Sequence, residues 1–100
     1  MYANGDGVPQ HHKKSVEWIS LAAEKGIGWA QWKLGAAYAV GRGVKMDYVL
    51  AHMWINVAQQ SGYKNKVMSA EKFEKYMTNS QIERAQDLAL ACVRKNYKGC

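Results

Sequence analysis

The chain has 100 residues, 48% of them hydrophobic and 22% charged, which indicates one small folded domain and excludes a collagen-like or disordered chain. The formal net charge of +6 favours acidic partners weakly and specifies no ligand. No apolar run approaches the roughly 18 residues that cross a bilayer, and the start of the chain lacks the pattern of a secretory signal, so we expect no membrane insertion.

The sequence repeats itself with a period of 36 residues. Residues 2–28 match 38–64 at nine of 27 positions without a gap. The matched residues are glycines, aromatics and other apolar residues: Tyr2 with Tyr38, Ala3 with Ala39, Gly5 with Gly41, Gly7 with Gly43, Val8 with Val44, Trp18 with Trp54, Ile19 with Ile55, Ala22 with Ala58, and Gly26 with Gly62. A fixed period of this length is typical of stacked helical units, each of which buries its apolar face only against a neighbour.

Helical spacing of small and apolar residues predicts three helices, over residues 12–25, 29–40 and 48–61. Gly26 and Gly62 are placed to end the first and third helices in the left-handed conformation. No stretch alternates with period two, so we expect no strands.

Turn chemistry marks the boundary between the second and third helices. The loop at residues 41–44 contains two glycines that can take positive φ. Asp47 is placed to cap the N-terminus of the third helix.

The third unit departs from the repeat. Residues 64–77 predict a further helix, but no glycine loop follows it. A last helix begins at a capping box, formed either by Thr78 with Gln81 or by Ser80 with Glu83. One buried face is expected on this helix, which would close the stack: Ile82, Ala85, Ala89, Cys92 and Val93.

These motifs resemble those of the Sel-one-like repeat family, relatives of tetratricopeptide repeats with units of about 36 residues. The family's loop and helix motifs appear here as Gly5-Asp6-Gly7-Val8-Pro9-Gln10, as Trp18, Ala22, Ala23 and Gly26, and as Ala30, Leu34, Gly35 and Tyr38. The second unit keeps Gly41, Gly43 and Val44 but has Lys45-Met46 in place of Pro-Gln. The segment from Met77 to Ile82 resembles the start of the capping helix of many bacterial members, with Asn79 where a proline is expected.

The resemblance implies an all-α fold, a right-handed α-solenoid of antiparallel helix pairs with about two repeats and a C-terminal capping helix pair. The expected division of the single domain 1–100 is a truncated first repeat at 1–27, a second repeat at 28–63, and a divergent third unit with its cap at 64–100. Members of the family act as adaptors in protein complexes, often bacterial and often exported. We therefore expect a non-catalytic protein-interaction scaffold that needs no cofactor.

Two alternatives to a scaffold stay open. A hydrolase acting on peptides or cell-wall-like substrates, reached only by family analogy, would need an acid–base pair in a pocket. A purely structural fragment would instead pack on further repeats or self-associate, because the first unit is expected to lack the first two turns of its leading helix and to leave an N-terminal face uncovered.

The histidines do not predict a metal or catalytic site. His11 and His12 are adjacent and diverge by about 100° on a helix, so they cannot hold one ion together. His52 is expected to be a partly exposed helix residue without an acid–base partner. No phosphate-binding loop or nucleophile motif is present, and we expect no catalytic residues.

The four tryptophans divide by position. Trp18 and Trp54 are repeat-equivalent and are predicted to lie in or near the core. Trp29 and Lys33, one turn apart on the helix that lines the concave face in the family, are the candidates for a protein-binding ridge, with a structural role for Trp29 as the alternative. Trp32 occupies an aromatic position of the family pattern; we expect it to pack, and keep it as a further candidate for partner contact.

The positive charge does not indicate a nucleic-acid partner. Residues 61–100 hold eight basic and four acidic side chains, and the lysines there interleave with glutamates as on a solvated helix face. No stacking platform accompanies a basic stripe. The expected partner is another protein or peptide, or a second copy of the chain through the uncovered N-terminal face.

Cys92 and Cys100 are eight positions apart, the offset that separates Ala22 from Ala30 across the turn at Gly26. A pair at this offset resembles the cysteine-rich branch of the family, in which such pairs are bridged. A disulfide would favour a periplasmic or secreted location. Two reduced thiols, with Cys92 a small core residue, would favour the cytoplasm.

Overall fold

All regular structure is helical in the parts of the chain that the computed structural model describes, residues 8–63 and 69–100, with side chains from residue 12 onward. The elements follow in this order: α1 (Val8–Glu24), α2 (Gly28–Val40), α3 (Tyr48–Gln60), a 3₁₀ helix (Ala70–Tyr76) and α4 (Asn79–Arg94). The all-α class predicted from the repeat is confirmed.

The helix boundaries follow the local signals in the sequence. α1 begins at Val8, four residues earlier than predicted, with Pro9 in its first turn, where the missing N–H costs no helical hydrogen bond. Gly26 ends the turn after α1 with a φ of 87°. Asp47 caps α3 as predicted, since its Oδ1 accepts a hydrogen bond from the Leu50 N–H at 3.1 Å.

The core is built around α3. One cluster joins buried residues of all four α-helices: Ala23, Ala30, Leu34, Met53, Trp54, Val57, Ala89 and Cys92. A second cluster joins α2 and α3 to the 3₁₀ helix: Ala39, Ala51, Ile55, Ala70 and Phe73. α3 packs against α2, α4 and the 3₁₀ helix, whereas α1 packs mainly against α2.

The third unit differs from the α-helix predicted over residues 64–77. A 3₁₀ helix occupies Ala70–Tyr76, while the stretch 64–68, with Val67, lies outside the described residues. Ala70 and Phe73 are three positions apart, and a 3₁₀ helix places such residues on one face, here buried against α3.

The capping box of α4 is the one formed by Thr78 and Gln81. The Thr78 hydroxyl accepts from the Gln81 N–H at 3.1 Å, and the Gln81 side chain accepts from the Thr78 N–H at 2.9 Å. These two bonds give hydrogen-bond partners to two backbone N–H groups at the N-terminus of α4.

The prediction that Trp18 and Trp54 share a core role is wrong for Trp18. Trp54 is only 4% exposed, because it lies in the cluster closed by α4, whereas Trp18 is 74% exposed. The repeat gives the two tryptophans equivalent positions on α1 and α3. Among the described residues, however, no helix covers the face of α1 that carries Trp18.

The C-terminal segment folds back towards the α1–α2 turn. The Sγ atoms of Cys92 and Cys100 lie 2.04 Å apart, the distance of a disulfide bond. The Tyr97 ring covers Gly26 closely enough that a Cβ atom there would meet it at 3.0 Å. The chain end is thereby held against the first two helices.

Candidate protein-interaction groove

A groove of about 430 Å³ lies between α1 and α2. One wall is formed by α1 residues: His12, Ser15, Val16 and Ile19. The other wall is formed by α2 and the start of the following loop: Trp32, Lys33, Ala36, Ala37, Val40 and Arg42. Spacings of three and four residues place each set on one face of its helix.

Small side chains create the space between the walls. Ala36 and Ala37 line the groove near the middle of α2, and Ser15 lines it on α1. Two larger apolar side chains at the base of the groove, Val16 and Ile19, are partly buried and pack against the first core cluster. The groove therefore has an apolar base fixed by the fold and open space above it.

The charge at the groove is positive. Lys33 and Arg42 line it, and no Asp or Glu is among the lining residues in the part of the chain that the structure describes. Cationic groups around an apolar depression attract acidic partners and orient them during encounter.

Trp29 and Lys33 form a ridge beside the groove, which we call the Trp29–Lys33 ridge. Trp29 is 50% exposed, and the Lys33 Nζ lies 5.8 Å from the centroid of its ring. This cation–π geometry brings the indole and the ammonium together at the edge of the groove.

Trp32, the third candidate, is partly buried and links the groove to the core. Its ring lies 6.2 Å from that of Tyr63, tilted by 49°, and it packs on the second core cluster while also lining the groove. The structure thus brings Trp32 and Lys33 to the groove wall and leaves Trp29 at its border.

The prediction for His52 is wrong. Its side chain is 1% exposed, and its Nε2 lies 3.0 Å from the Glu74 Oε2. Its Nδ1 has no hydrogen-bond partner in the part of the chain that the structure describes. The carboxylate comes from the 3₁₀ helix, 22 residues further on, so neighbours along α3 gave no signal of it.

This His–carboxylate pair does not meet the requirement of the hydrolase alternative. General acid–base chemistry needs the pair within reach of a substrate, but His52 is buried and does not line the groove. The pair instead joins α3 to the 3₁₀ helix.

Neither a metal cluster nor a membrane-crossing helix occurs in residues 8–63 and 69–100. No three His, Cys, Asp or Glu side chains there are grouped to hold an ion. No helix in the same ranges is long and apolar enough to cross a bilayer. His12 is partly buried at the groove, and the side chain of His11 lies outside the described residues.

Repeating helices packed around one central helix, with an open groove, define an α-helical repeat protein. The family model of the Sel1 repeat matches residues 1–27 and 30–58, more than half of the chain, so the chain belongs to the Sel1 repeat family. Sel1 repeats are generally protein-interaction modules and are typically non-catalytic. Searches of the curated proteins and of the solved structures gave no significant match.

Proposed function

We propose that this chain is a non-catalytic interaction module that binds a protein or peptide at the α1–α2 groove and the Trp29–Lys33 ridge. The observation that carries the proposal is the groove itself, open, apolar at its base, cationic at its border, and flanked by a half-exposed tryptophan. Its volume of about 430 Å³ suits several side chains of a partner.

Binding at this site would depend on shape and on a few anchor residues. Tryptophan and arginine are the residue types that most often carry binding energy at protein interfaces. The Lys33 Nζ lies 5.8 Å from the centroid of the Trp29 ring, so a partner that covers the indole also meets the ammonium. The base of the groove is packed against the core and needs no rearrangement.

We also propose that the module works in an oxidising compartment, such as a periplasm or the cell exterior. The support is the Cys92–Cys100 pair at bonding distance. Disulfides persist in such compartments and are reduced in most cytosols.

A peptide-library selection on the immobilised chain tests the interaction proposal. Selected peptides should lose about tenfold or more in affinity on the double substitution Trp29→Ala/Lys33→Ala, the loss typical of removing interface anchors. Trp18→Ala is the matched control, because Trp18 is an exposed tryptophan on α1 that neither lines the groove nor belongs to the Trp29–Lys33 ridge. No enriched peptide, or equal sensitivity to Trp18→Ala, would contradict the proposal.

A further inference from the structure

The segment between Cys92 and Cys100 has a backbone that its residue types do not favour. Asn96 and Tyr97 both lie in the left-handed region, with φ values of 57° and 67°. Consecutive residues other than glycine rarely adopt this conformation, and it persists only where the surrounding structure imposes it. The bridge between the two cysteines closes this segment into a loop and is one restraint that imposes the conformation.

Tyr97 is the residue by which this loop contacts the turn between α1 and α2. A Cβ atom added at Gly26 would lie 3.0 Å from the Tyr97 Cε2 and 3.3 Å from its Cδ2. The ring is half-buried and packs against the first core cluster. It therefore lies directly on the backbone of the turn that ends α1.

Hydrogen bonds extend this contact to three helices. The Tyr97 hydroxyl lies 3.4 Å from the Ser61 Oγ at the end of α3. The Ser61 hydroxyl donates to the Oε1 of Gln31 at 3.2 Å, with the Val57 carbonyl oxygen as a second acceptor at 3.1 Å. Gln31 of α2 is completely buried, and its Nε2 donates to the Ala23 carbonyl oxygen of α1 at 3.2 Å. Tyr97 is thus connected to the ends of α1 and α3 and to α2.

The C-terminal end of α1 has few other attachments. α1 packs mainly against α2, and α4 packs mainly against α3. The turn itself is closed by backbone hydrogen bonds from residues 25–27 to the carbonyl oxygens of Ala22 and Ala23. Without Tyr97, this end of α1 keeps those local bonds and the bond from Gln31 but loses the ring that covers the turn.

The two cysteines differ in their accessibility to a reagent. Cys92 is completely buried, whereas Cys100 is partly exposed. Residues 93–100 include three basic side chains and no Asp or Glu, and the Lys95 Nζ lies 3.4 Å from the carbonyl oxygen of Gly99, next to Cys100. An attacking thiolate is anionic and reacts with the sulfur atom that it can reach, so exchange is favoured at Cys100.

We propose that the Cys92–Cys100 bridge and Tyr97 form a redox-operated clasp. The closed bridge holds Tyr97 on the α1–α2 turn, and a dithiol that opens the bridge at Cys100 frees the C-terminal end of α1. This inference requires no ligand of the groove and is independent of the proposed function.

Opening the clasp is a two-step exchange. One thiolate of the dithiol bonds to the Cys100 Sγ, and the Cys92 sulfur leaves with the electron pair of the broken bond and takes up a proton. The second thiol of the dithiol then displaces the Cys100 sulfur, which is protonated in turn. The dithiol is oxidised to a disulfide, the bridge is reduced to two thiols, and both protons come from the dithiol.

Glutathione, a monothiol, locates the attacked sulfur. The oxidised chain is treated briefly with glutathione and quenched in denaturant with N-ethylmaleimide, which blocks every free thiol. Fragment mass spectrometry should find glutathione on Cys100 and the maleimide on Cys92. The reverse distribution would overturn the assignment of Cys100 as the exchange site.

NMR of the isotope-labelled chain tests the effect on the turn. An aromatic ring this close shifts the proton resonances of Gly26. Reduction with dithiothreitol should move these resonances to their positions in Tyr97→Ala, and reduction of Tyr97→Ala should move them no further. Lys98→Ala is the matched control, since Lys98 is exposed in the same loop; it should behave like the parent in both redox states.

Amide hydrogen exchange tests whether the end of α1 is freed. Reduction should speed the exchange of the amides of residues 25–27 at least about tenfold, through local opening of the turn. The amides of Arg42 and Asp47, which are hydrogen-bonded in the loop between α2 and α3, are the reference and should not change. A bridge that acted only on the unfolded chain would leave local opening unchanged at both places.

Four outcomes would overturn the clasp. The Gly26 resonances do not move on reduction, or they move equally far in Tyr97→Ala. The amides of residues 25–27 exchange no faster in the reduced chain. The reduced chain loses its helical circular dichroism altogether, which would make the bridge a requirement for the whole fold.

Discussion

Gly35 of α2 faces Ile55 of α3 so closely that a single added carbon would lie 2.5 Å from Cγ1 of the isoleucine. The contact fixes how near the two helices approach. Ile55 belongs to the second core cluster, which also includes Ala39 and Phe73. The glycine is therefore required by packing and not by a turn.

Gly35→Ala should lower the free energy of unfolding by about 1–2 kcal/mol. Alanine gains about 0.5–1 kcal/mol over glycine inside a helix. Forcing a carbon into a packed contact costs about 1–3 kcal/mol, and here the neighbours are a buried side chain and a backbone oxygen that cannot easily move. Urea unfolding measures the change.

The double substitution Gly35→Ala/Ile55→Ala is the control for this prediction. Removing the isoleucine side chain should make Gly35→Ala less costly than it is in the parent, as expected for two residues in direct contact. A more stable Gly35→Ala variant in the parent background would contradict the close packing of α2 on α3.

The repeat-equivalent tryptophans should respond very differently to truncation. Trp54→Ala removes a ring that is 4% exposed and should cost about 3–5 kcal/mol. Trp18→Ala removes a ring that is 74% exposed and should change stability by less than about 0.5 kcal/mol. Thermal unfolding of the two variants measures both effects. Equal losses would mean that a neighbour covers Trp18 in solution.

The tryptophan pair shows what a repeat can and cannot predict. The 36-residue period correctly placed both residues on corresponding helices. Burial depends on what packs against each helix, and α4, which closes the cluster around Trp54, is not part of the repeat pattern. The helix boundaries, in contrast, depend on local signals such as Asp47, and these were predictable.

Glu74→Ala should lower stability by about 1–3 kcal/mol, because it leaves the buried Nε2 of His52 without its partner. Glu71→Ala is the matched control, on the same 3₁₀ helix and exposed. In the double variant His52→Leu/Glu74→Ala no polar group is stranded, so stability should partly recover. Urea unfolding that shows no difference between Glu74→Ala and Glu71→Ala would contradict a structural role for the pair.

The buried His52–Glu74 pair marks a limit of sequence reasoning in the core, outside the groove. The 3₁₀ helix that carries Glu74 replaces an expected α-helix, and the contact spans 22 residues. Neither the change of helix type nor the contact across 22 residues is indicated by the sequence around His52 or Glu74. Lys33 was a candidate because it lies one turn from Trp29 on the helix that lines the concave face in the family, and Trp32 because it occupies an aromatic position of the family pattern. Ser15 and Arg42 line the groove only because the fold sets α1 beside α2.

Reduction of the Cys92–Cys100 pair should lower the free energy of unfolding by about 2–3 kcal/mol, the loop-entropy value for a closed loop of nine residues. Urea unfolding with and without a thiol reductant measures this difference. Cys100→Ser should match the reduced parent under both conditions. A Cys100→Ser variant as stable as the oxidised parent would show that the bridge contributes nothing to the fold.

The most direct test of the account is an amide NMR titration of the isotope-labelled chain with a peptide selected from the library. We predict that the largest shift changes fall on the two groove walls, at Ser15 and Ile19 on α1 and at Lys33 and Ala36 on α2. Shift changes confined to the exposed side of α1 around Trp18 and Leu21, or to α4, would contradict an interaction site between α1 and α2.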